Sequence, residues 1–203
     1  MTQLEYKDAE ALAKKYNIKC IESAYVKSYE EAIKFAGKER IVIKAIPQKP
    51  IHKSKSGLVA VGLDSNSIFA AYKSIIASAE KYKPYKVLAQ KMVSGGMEII
   101  VGGKIDEQFG RMVLIGLGGI YVEAFKDFSL RVCPISKKDA REMVLELKSS
   151  SIIAKDDKAL NLVSEILLKV SKMYVKSDLK ELDLNPIILH DGTYDAVDLR
   201  MIR

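Results

Sequence analysis

Glu181-Leu182-Asp183-Leu184-Asn185-Pro186, followed by Asp191-Gly192 and then Asp198, reads as a strand, a two-residue turn and a returning strand. Gly in the turn supplies the positive φ that a type I′ hairpin requires. Counting outward from the turn sets the pairing: His190 faces Thr193, Ile188 faces Asp195, and Asn185 falls opposite Asp198. Residues two apart on a strand share a face, so Asp183 and Asn185 point one way while Leu182 and Leu184 point the other. Directly opposed side chains start with Cβ atoms about 5 Å apart. An amide oxygen and a carboxylate at that spacing can share a hard cation such as Mg²⁺, which takes oxygen ligands and keeps water and phosphate in its other positions. Asp183, opposed to Arg200, is expected beside this pair rather than in it. The plainer alternative is an edge strand carrying solvated carboxylates.

Upstream of this hairpin the chain mixes helices and strands. An apolar stripe (Leu4, Ala9, Leu12, Ala13, Tyr16) predicts a helix over 4–16. A strand at 24–27 precedes a helix capped by Ser28, with Glu31 completing a capping box. The β-branched run 40–46 and the stretch 58–63 read as strands around a loop, and Asp64 or Ser65 would cap a helix ending before Pro84. Strands are expected at 86–93, 98–101, 111–115, 120–125 and 130–133, then helices at 136–148 and 157–175. This order is α+β with antiparallel hairpins. Gly116-Leu117-Gly118-Gly119 does not make G-x-G-x-x-G and no clear helix follows it, so it is a poor match to a Rossmann fold.

With 203 residues, 48% of them hydrophobic, the chain can bury a sizeable core as one domain or two small lobes. It opens on charged helix formers, so no secretory signal is expected. Its most apolar stretch, 112–122, is too short to span a bilayer. Cys20 and Cys133 have neither metal-ligand spacing nor a disulfide framework, which fits a reducing cytoplasm. The formal charge of +7 suits acidic partners such as nucleotides, coenzyme A or an acidic subunit. No nucleic-acid-binding signature and no membrane segment accompany it.

Several residues stand out chemically. Lys44 interrupts the apolar strand Ile41-Val42-Ile43-Lys44-Ala45-Ile46, where an unpaired ammonium is costly to bury. Either it meets a phosphate as a point charge or it snorkels from an edge strand. Gln90-Lys91-Met92-Val93 runs into Ser94-Gly95-Gly96 and Glu98, a strand leaving into a connector whose backbone can bind a base. An ordinary hairpin is the alternative. The loop His52-Lys53-Ser54-Lys55-Ser56-Gly57 gathers cations, hydroxyls and one of two histidines, a composition suited to phosphate, with His52 a possible nucleophile toward phosphorus. A solvated basic loop is the alternative. Glu123, Asp127 and Arg131 could line the same cleft or lie on the surface, and His190 reads as a surface residue.

Taken in order along the chain, these segments resemble the ATP-grasp fold, and more narrowly the small β subunit of ADP-forming acetyl-CoA synthetase (acyl-CoA synthetase, NDP-forming). The resemblance also rests on Phe109-Gly110, Gly116-Leu117-Gly118-Gly119-Ile120 with Glu123, Lys126-Asp127 with Ser129 and Arg131, and Ala196-Val197-Asp198. It implies two small α/β lobes enclosing a nucleotide cleft, here about 18–88 and 89–203, with the helix 4–16 packed on them. It implies a ligase that interconverts acyl-CoA, ADP and phosphate with free acid, CoA and ATP through an acyl phosphate and phosphohistidines. By the same resemblance ATP or ADP is held by Lys44, Lys53, Ser54, Gln90, Lys91, Met92, Val93 and Glu98, and Mg²⁺ by Asn185 and Asp198. His52 matches the relay histidine and Asp183 becomes a histidine-orienting candidate. The implied partner is a CoA-binding α subunit, as α2β2, without which the chain is inactive.

The sequence departs from the family pattern after Ser54. Lys55 stands where an aspartate is usual, and Leu58 takes the place of a second glycine. The charge change can tighten phosphate holding or mark a chain that has lost the relay. The alternative functions are therefore a relay-deficient regulatory nucleotide-binding subunit and another ATP-grasp carboxylate ligase.

Overall fold

The computed structural model describes residues 2–48, 57–119 and 127–203. His52, Lys53, Ser54, Glu123 and the strand expected at 120–125 lie outside them. The chain divides into two compact units, one formed by Met1–Cys20 with Gly95–Arg203 and the other by Ile21–Ser94.

In the second of these units four antiparallel strands run in the order β1-β4-β2-β3: β1 (Ser23–Tyr25), β2 (Ile41–Pro47), β3 (Val59–Leu63) and β4 (Tyr85–Lys91). Two helices, α2 (Tyr29–Ala36) and α3 (Ile68–Ala79), share one apolar core with the sheet. Alternation decides which strand residues they cover: Ile41, Ile43 and Ala45 of β2 and Val87 and Ala89 of β4 enter that core with Ala32, Ile68 and Ile75. Ser28 caps α2 by accepting from the Glu31 amide at 3.4 Å. Glu31 returns its bond one residue earlier than a capping box expects, to the Lys27 amide at 2.7 Å. The helix expected from Asp64 begins later, because the Asp64 carboxylate accepts from the Asn66 and Ser67 amides at 3.1 and 2.9 Å and closes a turn first.

The other unit is built on a sheet of order β10-β8-β5-β6-β7, with β9 also on β8. Its strands are β5 (Met97–Asp106), β6 (Gly110–Leu117), β7 (Phe128–Val132), β8 (Glu181–His190), β9 (Thr193–Ala196) and β10 (Leu199–Ile202). The helices are α1 (Tyr6–Lys15), α4 (Lys137–Leu145), the short α5 (Ser150–Ile153) and α6 (Asp157–Lys176). Residues before α1 continue the sheet, since Leu4 N–H donates to Met201 O at 2.9 Å. Val101, Val113, Ile115, Leu182 and Leu184 are buried on the face that meets α6. β5 runs five residues past its expected end at Val101. The strand continues through Gly102-Gly103, where a Cβ at Gly103 would stand 3.0 Å from the Tyr174 ring of α6. The glycine admits the helix rather than ending the strand.

Candidate nucleotide-binding site

The β8–β9–β10 register agrees with the count made from the turn. His190 pairs with Thr193, Ile187 with Ala196, Leu184 with Leu199 and Asp183 with Arg200. Asp191 and Gly192 both have positive φ, 46° and 72°, as a type I′ turn demands. Between the two paired stretches the Asn185 amide donates to Asp198 O at 3.2 Å and the Val197 amide to Pro186 O at 3.0 Å. The adjacent bonds mark a local irregularity, and Asn185-Pro186 is cis. Leu184 and Leu199 point into the core, so Asn185 and Asp198 project from the opposite face. Asn185 is exposed, and Asp198 Oδ1 accepts from the Leu199 amide at 3.1 Å.

Asp183 lies on that same face. Its Oδ1 is buried and accepts no hydrogen bond among the described residues. Burial pushes its pKa up, the nearby Asp198 charge adds to the rise, and Arg200 opposes it. A buried acceptor left open next to an amide–carboxylate pair fits a cation or its bound water. The pair would hold Mg²⁺ with two protein oxygens. No group of three or more His, Cys, Asp and Glu among the described residues forms a cage of its own.

The unfolded chain releases the Asp183 proton at lower pH than the folded one, so this residue lowers stability as pH rises through that window. Asp183→Asn is expected to stabilise the isolated chain by about 1 kcal/mol at neutral pH, with the difference fading toward pH ~4. Urea unfolding at both pH values checks it. A variant less stable than wild type at neutral pH would mean the carboxylate is well satisfied.

Glu98 pairs with Ile188 on the face away from the buried Ile99. The Gly118 amide donates to Glu98 O at 2.7 Å. A Cβ at Gly118 would stand 2.8 Å from the Glu98 carbonyl carbon, and one at Gly119 3.0 Å from Glu98 Oε2. The glycine cluster therefore lets the chain pass directly over Glu98, a role that its spacing in the sequence did not disclose.

In unit 21–94, Lys44 is 6% exposed and sits on β2 between β4 and β3, paired with Leu88 and Val59. The edge-strand explanation for this lysine is thereby overturned. Its side chain is on the sheet face opposite α2 and α3, which it shares with Val42 and the fully buried Leu88 and Gln90. The Lys91 side chain lies on the other face of the sheet. Its ammonium donates to Ala36 O at 3.1 Å and pairs with Glu39, so its side chain serves the helix α2 side of the sheet. The Lys91 and Met92 amides are also occupied, by Glu22 O and Arg40 O at 3.0 Å each. What the 90–93 connector can still offer a base is carbonyl oxygens, the Val93 amide and apolar side chains.

Two cleft candidates turn out to be structural pins. The Asp127 carboxylate accepts from the Lys148 and Ser149 amides at 2.8 and 2.9 Å and holds the start of α5. Arg131 pairs with Glu146, which also accepts from Ser129 Oγ at 2.9 Å. His190 is a correction too: half-buried, its Nε2 lies 2.8 Å from Oδ2 of the buried Asp195. Cys20 and Cys133 are free thiols. Burial pushes Cys20 up to about 12, with Glu10 adding to it, so it is no nucleophile.

Charge is divided unevenly along the chain. Residues 21–94 hold 13 Lys and Arg against 6 Asp and Glu, while the remainder holds 20 against 20. The whole formal surplus of +7 therefore sits on the unit that carries Lys44 and the His52 loop.

Two antiparallel sheets, each with helices on one face, and polar residues on the other face define the architecture of a nucleotide-binding ATP-grasp protein. The sequence profile of the ATP-grasp domain matches residues 1–202. The β subunit of acetate–CoA ligase [ADP-forming] I from Pyrococcus furiosus is 37% identical over 96% of this chain and 89% of its own length. The acetate–CoA ligase [ADP-forming] I of Archaeoglobus fulgidus is also 37% identical, over 80% of this chain but 25% of that longer protein. A dinucleotide-forming acetyl-coenzyme A synthetase 1 from Ca. Korarchaeum cryptofilum, solved with coenzyme A and Ca-AMPCP, superposes with a TM-score of 0.89 at 31% identity, covering 99% of this chain and 93% of that one. The same protein solved with coenzyme A and Mg-AMPPCP, its phosphohistidine segment pointing towards the nucleotide binding site, gives 0.83 at 30% identity over 99% and 92% of the chains. The chain belongs to the ATP-grasp domain family, in the group that contains the β subunits of ADP-forming acetate–CoA ligases. No helix among the described residues is long and apolar enough to cross a membrane.

Proposed function

We propose that this chain is the nucleotide-binding β subunit of an ADP-forming acyl-CoA ligase. It moves a phosphoryl group between ATP or ADP and a histidine, within the interconversion of acyl-CoA, ADP and phosphate with acid, CoA and ATP. The observation that carries the reading is the backbone bond from the Asn185 amide to Asp198 O, between stretches of matching register and beside the open Asp183 oxygen. The relatives support it, since the Korarchaeum enzyme is solved with a magnesium nucleotide and a phosphohistidine segment.

Each residue has a role that follows from its chemistry. Lys44 supplies a fixed positive charge for the nucleotide phosphates, and Gln90, Met92 and Val93 with the Lys91 carbonyl serve the base. Glu98 faces the nucleotide from beneath Gly118 and Gly119. Asn185 and Asp198 would hold Mg²⁺, which when bound neutralises phosphate charge. Lys53 and Ser54 are assigned to the phosphate carried by His52, and Asp183 is assigned to orienting a histidine. In the transfer the His52 nitrogen–phosphorus bond breaks as an ADP oxygen bonds to phosphorus, and the ring is left neutral. Such a reaction depends on in-line positioning and charge neutralisation more than on covalent help.

A CoA-binding α subunit completes the enzyme on this reading, which the β-subunit name of the Pyrococcus relative supports. The replaced glycine of the His52 loop fits the fold without strain: Leu58 is fully buried in the 21–94 core and its carbonyl accepts from Ala45 at 2.8 Å. After incubation with the partner, ATP and Mg²⁺, wild type is expected to carry acid-labile, alkali-stable phosphate on His52. His52→Asn should lose it together with the coupled activity. Full activity in His52→Asn would remove the relay. Nucleotide binding with no phosphoenzyme under any condition would assign the chain a regulatory role.

A further inference from the structure

A buried carboxylate that the proposed reaction does not use lies near the tip of the β8–β9 hairpin. Asp195 is 5% exposed, and its Oδ2 meets both Lys19 Nζ at 3.1 Å and His190 Nε2 at 2.8 Å. Only two peptide links join the units, Cys20–Ile21 and Ser94–Gly95. Both leave from this hairpin. At the first, the Ala196 amide donates to Lys19 O at 2.9 Å, the Lys19 amide donates to Tyr194 Oη at 3.2 Å, and Cys20 bridges to Ala196. At the second, Gly96 (φ 102°) lies so close to the hairpin that a Cβ would stand 2.6 Å from Leu189 O and 3.3 Å from His190 Cβ. One carboxylate oxygen thus joins the residue before the first link to the strand flanking the second. All of these contacts lie within the unit that contains residues 95–203.

The same hairpin carries the cation pair at its root. Asp198 follows Ala196 by two residues, and Tyr6 Oη donates to the intervening Val197 carbonyl at 3.3 Å. We infer that Asp195 is a positioning residue: it locks both inter-unit links onto the strand that presents Asn185 and Asp198, and so sets the affinity for magnesium nucleotide. This rests on the nucleotide reading above. Asp195 is the buried member and Lys19 is half-exposed, so losing a partner leaves the buried carboxylate with fewer hydrogen bonds and the lock loosens when any of its three members is lost. The other charged neighbours are Asp191, 3.7 Å from His190 Nδ1, Lys169 of α6 over the Tyr194 ring at 5.7 Å, and Glu10 of α1 with its partners Lys7 and Lys14.

Hydrogen exchange and Mg-ADP calorimetry on the full chain test the lock. Asp195→Asn is expected to raise exchange about tenfold at 19–22 and at 95–97 together, leaving α6 protected. It should also weaken Mg-ADP about tenfold. His190→Gln retains an N–H donor and should stay near wild type, while Lys19→Met should reproduce Asp195→Asn and replaces it if that variant does not fold. A uniform rise across the unit, or a Mg-ADP affinity within about twofold of wild type, would overturn the inference. If wild type itself fails to bind Mg-ADP, the nucleotide reading and the affinity role drawn from it both fall, and the exchange pattern still decides whether Asp195 joins the links.

Discussion

Asp198→Ala is expected to slow phosphoryl transfer about 10²- to 10³-fold while leaving the fold intact. Asp198 projects from the face away from the core, and its side chain accepts from the Leu199 amide within the hairpin. Losing one partly buried hydrogen bond changes stability by about 1 kcal/mol. Losing a carboxylate that holds a cation against developing phosphate charge removes an interaction of about 3–4 kcal/mol from the transition state. The substitution should also raise the Mg²⁺ concentration needed for half-maximal rate. Steady-state assays across Mg²⁺ concentrations, with thermal unfolding as control, separate the two effects. A variant with normal rate and normal Mg²⁺ dependence would place the cation elsewhere.

Lys44→Met should have an effect of similar size by a different route. The lysine is central in its sheet, paired with Leu88 on one side and Val59 on the other. Met has nearly the same length and keeps the apolar stem, so it removes the charge with little change of shape. The nucleotide KM should rise and the transfer rate should fall about 10²-fold, with circular dichroism unchanged. Lys44→Arg is expected to fail as well, because a buried slot fitted to a compact ammonium does not admit the broad guanidinium fork. Rescue by arginine would show that Lys44 supplies only general positive charge.

The parts of the molecule legible in the sequence are those fixed by local periodicity. The Asp191-Gly192 turn sets the hairpin register, which gives the Asn185–Asp198 opposition and the Asp183–Arg200 pair by counting alone. The helix cap at Ser28 is readable for the same reason. Features decided by distant partners are not. β5 continues through Gly102-Gly103 because Tyr174, seventy-one residues later, packs against it. The Lys91 ammonium turns to the α2 side of its sheet because Glu39 and the end of α2 claim it. Asp127 and Arg131 resemble cleft residues until α5 and Glu146 supply their partners. His190 reads as a surface residue because Asp195 is charged, and no local pattern announces that this carboxylate is buried. Lys44 lies between these cases: its strand is evident, but its central position in the sheet is set by tertiary pairing.

Calorimetric titration of the chain with ADP, with and without Mg²⁺, in wild type and Asp198→Ala, tests the central claim most directly. One site per chain is expected for wild type with Mg²⁺, weakened at least about tenfold by chelating the metal or by the substitution. ADP binding of equal strength in all four titrations, or no binding by wild type with Mg²⁺, would contradict it.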